Sequence, residues 1–362
     1  MRYVTLNKIQ LKDFIGSEEF RTMPFVPISY SRALSHINNP RAEEIDILLI
    51  LAYHKNEMAG YLGIIPDLIF DGNKSEKIGW ISCLWINPDK RGKGIAKMLT
   101  EKAINLWNNK LFITEFAPSS LNLFQSSGWF ETMVQKKGIR IYRRSCLHTI
   151  IPARKPSLSF LKPFLNIFDI EVNLFHDLFL GKTHRFSSLY SVEFPELPDE
   201  SCYYLIKNYM NDELIRKQKP EIEWFLNFPW IKETPIQTTE GKRYYFSSEA
   251  RKFNIVPIKI KQGIELVAFL IITIREKHMK TPFVYIKQGH EKTVLETLNN
   301  LMHEHRIDYL STYQKPITNN FKKAFPYLYS KVIVRKYLKS KGFNISVNEN
   351  SFQDGEGDCG FT

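Results

Sequence analysis

The sequence lacks any apolar run long enough to cross a bilayer. Its most apolar stretches, residues 45–53 and 266–274, are far shorter than the roughly 20 residues that a membrane-spanning helix needs. Met1 and Arg2 are followed by no apolar run and no small-residue cleavage site, which argues against a secretory signal. We therefore expect no membrane span and a cytoplasmic location.

Cysteine is scarce, with four residues in 362. Cys83, Cys146, Cys202 and Cys359 share no metal-ligand spacing, so the sequence predicts free thiols and no metal site. Cys83 falls inside a predicted strand, where the expected role is that of a small buried apolar side chain and the alternative is a catalytic thiol.

The chain also lacks low-complexity tracts and a basic tail, although its formal net charge is +12. A positive surface attracts anionic ligands, but charge alone does not choose between a small anion, an acidic glycan, a nucleic acid, a membrane face and simple solubility. The acidic residues 354–358 resemble half of a calcium loop, and we expect a flexible acidic terminus there instead.

The length indicates two domains, because domains usually hold roughly 100 to 200 residues. Residues 152–156 are basic and bounded by proline, as a connection between domains would be. We place the boundary near residue 148, which gives domains 1–147 and 148–362.

Hydrophobic periodicity in the first half predicts a mixed α/β fold. Residues 45–53 and 58–65 are β-prone runs joined by a hairpin, and residues 78–86 form a third strand that ends at Asn87 and Pro88. From Gly94 onward, apolar residues recur at helical spacing; a strand at 111–116 and a short helix ending at Gly128 follow. The expected fold is a twisted mixed sheet flanked by helices.

The second half repeats this order of elements. Residues 202–217 have a helical pattern; strands are predicted at 264–274 and 282–286, a helix at 291–303, a strand at 307–313 and a helix at 318–327. The repetition hints at a duplicated architecture, without a demonstrable sequence identity between the halves.

The most informative segment is residues 84–96, where a predicted strand leads through a glycine-bearing loop into a helix. The first amides of a helix have no intrahelical acceptor and the helix dipole adds partial positive charge, so a phosphate is bound well there. Gly92 and Gly94 would let a phosphate approach the backbone, and Arg91 and Lys93 add positive charge.

This segment resembles the Gcn5-related N-acetyltransferase (GNAT) family, whose signature is Arg or Gln, two variable residues, Gly, one variable residue, and Gly or Ala. Arg91, Gly94 and Ala96 match it. The resemblance implies that the loop binds the pyrophosphate of coenzyme A and that the preceding strand contacts the pantetheine arm. It thus implies an acetyl-CoA site whose residues are listed here: Leu84, Trp85, Ile86, Arg91, Gly92, Lys93, Gly94, Ile95, Ala96 and Phe124.

A second segment fits the family spacing through Leu123, Gly128 and Trp129. Two positions depart from the pattern. Phe124 stands where many relatives have a tyrosine that protonates the leaving thiolate, and Ala117 replaces an asparagine that commonly contacts the cofactor. The resemblance covers residues 1–147; the second half is interpreted as a degenerate GNAT-like domain that supplies acceptor walls or packing.

Acetyl transfer needs a neutral amine, so a carboxylate that accepts its proton is expected. The candidates are Glu115, on the strand after the helix, and Glu76, before the third strand, with Glu115 preferred because apolar surroundings raise a carboxyl pKa. The alternative is that either side chain simply points to solvent.

The hypothesis that follows is an N-acetyltransferase that uses acetyl-CoA as donor and a small primary amine, such as an amino sugar, as acceptor. One alternative is a tandem-domain transferase that uses aminoacyl-tRNA as donor, which the intact glycine loop disfavours. The other is a non-catalytic coenzyme A binding or interaction protein, for which Phe124 and Ala117 are the best arguments. Nucleic acid is not expected as a partner, and the oligomeric state is left open.

Overall fold

The computed structural model describes residues 1–114, 118–179, 189–324, 326–345, 347–348 and 351–361. Its contacts divide the chain into two compact units that interleave in sequence: Met1–Lys136, Ile206–Phe253 and Arg335–Thr362 form the first, and Lys137–Leu205 and Asn254–Val334 the second. Two long strands each contribute one half to each unit. A boundary at a single position therefore does not describe this division. The division into 1–147 and 148–362 stays a prediction.

The strands are β1 (Arg2–Asn7), β2 (Ile47–His54), β3 (Glu57–Asp71), β4 (Lys74–Ile86), β5 (Leu111–Ile113), β6 (Phe130–Tyr142), β7 (Tyr190–Glu193), β8 (Lys232–Glu233), β9 (Glu249–Ala250), β10 (Phe253–Gln262), β11 (Glu265–Arg275), β12 (His278–Ile286), β13 (Tyr309–Thr312) and β14 (Tyr329–Ser340).

The helices are α1 (Lys8–Gly16), α2 (Glu18–Thr22), α3 (Tyr30–Ile37), α4 (Ile95–Leu106), α5 (Pro118–Ser126), α6 (Leu147–Arg154), α7 (Lys162–Phe179), α8 (Glu200–Tyr209), α9 (Lys219–Asn227), α10 (Thr239–Lys242), α11 (Glu291–Glu304), α12 (Lys315–Thr318) and α13 (Phe321–Ala324). Within the described part of the chain, none of these helices has both the length and the apolar composition needed to cross a membrane.

The first unit contains a mixed sheet with the order β1-β2-β3-β4-β5, followed by the second half of β14 and the first half of β6. β1 to β4 pair in antiparallel fashion, whereas β4 and β5 are parallel. The hairpin expected after residue 53 is present, with Lys55 and Asn56 in the left-handed region that tight hairpin turns require. The prediction of a mixed sheet flanked by helices is confirmed.

Helix α4 packs one apolar face against this sheet. Ile95, Leu99 and Ala103 recur at helical spacing, are buried, and share a core cluster with Ile64 and Leu111 of the strands. The periodicity of the sequence from Gly94 onward therefore predicts this helix correctly, and its packing fixes the position of the loop that precedes it.

The C-terminal segment is not the flexible acidic terminus that the sequence suggested. Asp354, Glu356 and Asp358 are all buried within the first unit. Each carboxylate has a basic partner, namely Lys136, Lys217 and Arg32 respectively. The prediction was wrong because acidic residues between glycines are typical of a solvated tail. The basic residues that pair with them lie far away in sequence and give no local signal.

Burial of Glu356 predicts a pH-dependent stability. Burial raises the pKa of its carboxyl from 4.5 to about 8, although Lys217 Nζ lies only 2.9 Å away and attracts the charged form. A group whose pKa is raised in the folded state contributes stability that is present below its ordinary pKa and is lost as the pH rises through the folded pKa. The loss from this group therefore occurs between pH 4.5 and about 8.

We expect Glu356→Gln to raise the melting temperature above that of the wild type by at least about 2 °C at roughly pH 9, and by much less at roughly pH 6. The reason is that the amide resembles the protonated carboxyl that the folded state prefers. Thermal denaturation at both pH values measures the difference, with the exposed Glu44→Gln as control. An equal shift at the two pH values would show that ionisation of Glu356 is not involved.

The second unit contains the second half of β6 and then β13-β12-β11-β10-β7. β11 and β12 form an antiparallel hairpin, α11 follows, and β13 pairs in parallel with β12. This is the order that the sequence predicts for residues 264–313. The helix predicted over 202–217 is shorter, because α8 ends at Tyr209 and the backbone amide of Leu214 then bonds to the carbonyl of Ser351.

Candidate functional site

The glycine loop lies between β4 and α4, as the sequence predicts. A short 3₁₀ helix, Pro88–Lys90, closes the end of β4, and the chain then turns through Gly92 and Gly94 with φ values of 77° and 73°. Both values lie in the left-handed region that favours glycine. A side chain at either position would meet no atom within 4 Å, so the space above the loop is open.

The amides of this loop are available to a ligand. The first hydrogen bond of α4 runs from Met98 N to Gly94 O at 3.0 Å, and Gly94 provides no side-chain cap. No described residue accepts a hydrogen bond from the amides of Gly92 to Lys97. These amides form the positive end of the helix dipole and lie beside the open space. Such a position suits an anion.

Among the residues that the structure describes, none pairs as a strand with the β5-facing edge of β4 beside the loop. β5 pairs with β4 only at Gly79↔Leu111 and Trp80↔Phe112, although β4 continues to Ile86. On its other side β4 stays paired with β3 as far as Ile86. The β5-facing edge of β4 around Leu84 therefore offers main-chain donors and acceptors to an extended ligand.

A bulge interrupts β4 at Cys83. Leu62 alone of β3 lies opposite Cys83 and Leu84, between the pairs Tyr61↔Trp85 and Gly63↔Ser82. Cys83 has a φ of 47°, and a side chain at Gly63 would come within 2.7 Å of its sulfur. The bulge thus needs glycine at position 63. The bulge also changes the direction of the backbone at Cys83, next to the unpaired edge.

The loop, the edge and the bulge line one cavity of about 910 Å³. Among its lining residues are nine of the ten predicted cofactor contacts: Leu84, Trp85, Ile86, Arg91, Gly92, Gly94, Ile95, Ala96 and Phe124. Lys93 is exposed on the loop and is not among the lining residues.

Of the two predicted carboxylates, Glu76 is not brought to this cavity. Glu76 pairs with Ile69 near the hairpin end of β4 and forms a 2.8 Å ion pair with Lys110. It lies seven residues before Cys83, roughly 23 Å along a strand. Glu115 and Ala117 lie outside the described residues. The structure therefore does not support Glu76 as a proton acceptor at the cavity.

Three lining residues that lie far from the loop in sequence are not among the predicted contacts: Tyr245, Phe246 and Asp358. Tyr244 precedes the first two and is held beside β3 by ring stacking on Tyr61, while Tyr245 itself is largely exposed. With Trp85, these rings give the cavity an aromatic wall. They come from positions more than 150 residues after the loop, so no local pattern links them to it.

Asp358 is the only acidic residue among the described residues that line the cavity. Its Oδ1 accepts hydrogen bonds from Arg32 Nη1 at 2.7 Å and from the Ser82 hydroxyl at 2.9 Å. Arg32 in turn stacks on Trp230, with its guanidinium carbon 4.4 Å from the ring centre. The carboxylate is therefore fixed in place one residue from the bulge.

Burial controls the ionisation of the neighbouring groups. It raises the pKa of the Cys83 thiol above its ordinary value, so this thiol stays protonated near neutral pH. Burial, together with the Arg32 charge, lowers the pKa of His36 to about 3, so this histidine is neutral. A protonated thiol is a weak nucleophile, and a histidine with so low a pKa is a weak base.

The corresponding loop of the second unit differs. Before α11 the amide of Gly289 donates to Glu291 Oε2 at 3.1 Å, so a carboxylate of the chain itself lies at that loop. A negative side chain at that loop repels a phosphate and occupies an amide that would otherwise bind it. That the first unit holds the anion site stays a prediction.

Comparison with known proteins found matches to a family model and to solved structures. Residues 14–129, about a third of the chain, match the model described as "Acetyltransferase (GNAT) family". No curated protein sequence matches.

A GCN5-related N-acetyltransferase from Anabaena variabilis ATCC 29413 is similar at 11% identity and a TM-score of 0.50, over 93% of this chain and 71% of that one. One from Kribbella flavida shows 9% identity and the same TM-score, over 93% and 70%. A tandem GNAT protein from the clavulanic acid biosynthesis pathway shows 12% identity and a TM-score of 0.49, over 95% and 99%. At these identities the similarity concerns the fold.

Proposed function

From the membership of residues 14–129 in the GNAT family, we propose that the protein is an acyl-CoA-dependent N-acyltransferase. In this proposal acetyl-CoA is the donor and a primary amine of a small molecule is the acceptor. The observation that supports it most strongly is the cavity in which an open glycine loop, a helix N-terminus and an unpaired strand edge meet.

Each part of the cavity suits one part of the donor. The amides of residues 92–97 would hold the pyrophosphate, and Arg91 and Lys97 line the same end with positive charge. The unpaired edge of β4 at Leu84 and Ile86 would pair with the amide groups of the pantetheine arm. The thioester would then lie near the bulge at Cys83.

The acceptor amine would approach the thioester from the side of Asp358. An ammonium group is attracted to a fixed carboxylate, and the amine must lose a proton before its nitrogen attacks the thioester carbonyl. Asp358 is suited to accept a hydrogen bond from the ammonium group and then its proton. Attack of the neutral amine would break the carbon–sulfur bond and release the coenzyme A thiolate, which takes up the second proton that the nitrogen loses. Trp85, Tyr245 and Phe246 offer apolar surface to the rest of the acceptor. Phe124 lines the cavity and packs edge-on against Phe130, so position 124 supplies no proton to the leaving thiolate.

The proposal is tested by transfer from acetyl-CoA to a panel of small amines, measured as release of free thiol and as mass of the acetylated product. We expect amine-dependent thiol release for at least one member of the panel. Binding of acetyl-CoA without transfer to any amine would instead favour the non-catalytic coenzyme A binding protein, the reading that Phe124 supports.

A further inference from the structure

Helix α7 of the second unit presents an apolar face outward. Eight large apolar side chains on α7 and the turn before it are 49 to 71% exposed: Phe160, Phe164, Ile167, Phe168, Ile170, Leu174, Phe175 and Leu178. We call them the α7 patch. The seven that belong to α7 cover an arc of about 160°, at 100° per residue. An exposed apolar surface of this extent usually marks an interaction site.

The inward face of α7 is polar, and its bonds fix the orientation of the helix. Asp169 accepts hydrogen bonds from the amides of Leu147 and His148 at 3.0 and 2.8 Å, and so caps the start of α6. Asn173 bonds to both the amide and the carbonyl of Ser145, at 2.7 and 2.9 Å. Because these bonds need the polar side to face the protein, the patch cannot rotate inward without breaking them.

We propose that the α7 patch binds the surface of an anionic lipid bilayer. In sequence the patch adjoins the exposed cations Arg154, Lys155 and Lys162, and phenylalanine and leucine next to basic residues are typical of helices that lie in a membrane interface. The acids Asp169, Glu171 and Asp177 within α7 suit a helix that lies on a bilayer and not one that crosses it. This proposal is independent of the proposed catalytic function.

Glu171 distinguishes a lipid surface from a second copy of the chain. It is exposed and lies in the middle of the apolar arc. Against anionic lipid a carboxylate is repelled and must be desolvated, so Glu171→Gln should strengthen binding. In a protein interface a central acid is normally matched by a cation of the partner, and its removal weakens association.

The test is co-sedimentation of the full chain with vesicles of phosphatidylglycerol and phosphatidylcholine, compared with phosphatidylcholine alone. We expect binding to the anionic vesicles, at least tenfold weaker binding for the double variant Phe164→Ser, Leu174→Ser, and stronger binding for Glu171→Gln. Ile264→Ser, at an exposed apolar position away from the patch, should bind as the wild type does. Circular dichroism and thermal denaturation establish that each variant is folded.

Absence of binding to anionic vesicles, or equal binding by the folded double variant, would overturn the proposal. The proposal would also be overturned if light scattering showed a dimer of the wild type and a monomer of the double variant, and neither protein bound the vesicles. The patch would then be an interface between copies.

Discussion

Gly94→Glu should reduce acetyl-CoA affinity by at least 100-fold, which corresponds to roughly 3 kcal/mol. Gly94 is the N-cap of α4, and the space above it is open. A glutamate there would fill the position of the pyrophosphate and place a negative charge beside it, where like charges repel and the helix dipole no longer favours the ligand. Isothermal titration of wild type and variant with acetyl-CoA measures the difference.

Gly72→Glu is the matched control for this variant. Gly72 also has a positive φ, 58°, and a side chain there would also meet no atom within 4 Å. It lies in the turn between β3 and β4, away from the cavity. The two substitutions add the same charge and a similar backbone strain, so Gly72→Glu should bind acetyl-CoA normally. Normal acetyl-CoA binding by a folded Gly94→Glu protein would show that the loop is not part of the acetyl-CoA site.

Asp358→Asn should lower kcat/KM for the amine by about 10- to 100-fold, since a hydrogen bond to a charged group contributes about 1.5 to 3 kcal/mol. The acetyl-CoA dissociation constant should stay unchanged, because Asp358 would contact the acceptor and not the pyrophosphate. Steady-state kinetics with varied amine, together with acetyl-CoA titration, separates the two effects.

Asp354→Asn is the corresponding control, since Asp354 lies on the same buried segment and pairs with Lys136 at 3.2 Å. It does not line the cavity. Both variants leave a buried cation without its carboxylate and both should lower the melting temperature. If the two variants lose activity equally, Asp358 acts through stability and not at the acceptor.

The sequence was sufficient to predict the strand, loop and helix of the proposed donor half of the site. A strand, a glycine loop and an amphipathic helix are contiguous, so periodicity and glycine placement determine both the local structure and the orientation of the amides. Arg91, Gly94 and Ala96 accordingly lie at the cavity as expected.

The residues of the proposed acceptor half could not be predicted in the same way. Asp358 reaches Ser82 and Arg32 across 276 and 326 residues, and nothing near Asp358 in sequence indicates burial. Tyr245 and Phe246 follow an irregular segment with no clear periodicity. Glu76 was a candidate because it precedes the third strand in sequence, and that criterion is weak, since the strand carries Glu76 away from the bulge.

The most direct test of the account is calorimetric titration of the intact wild-type chain with acetyl-CoA. We predict one site with micromolar affinity, about −8 kcal/mol, that is lost in Gly94→Glu and kept in Gly72→Glu. A folded wild-type protein that gives no heat beyond dilution at millimolar acetyl-CoA would contradict the account, because the loop amides would then not hold a diphosphate.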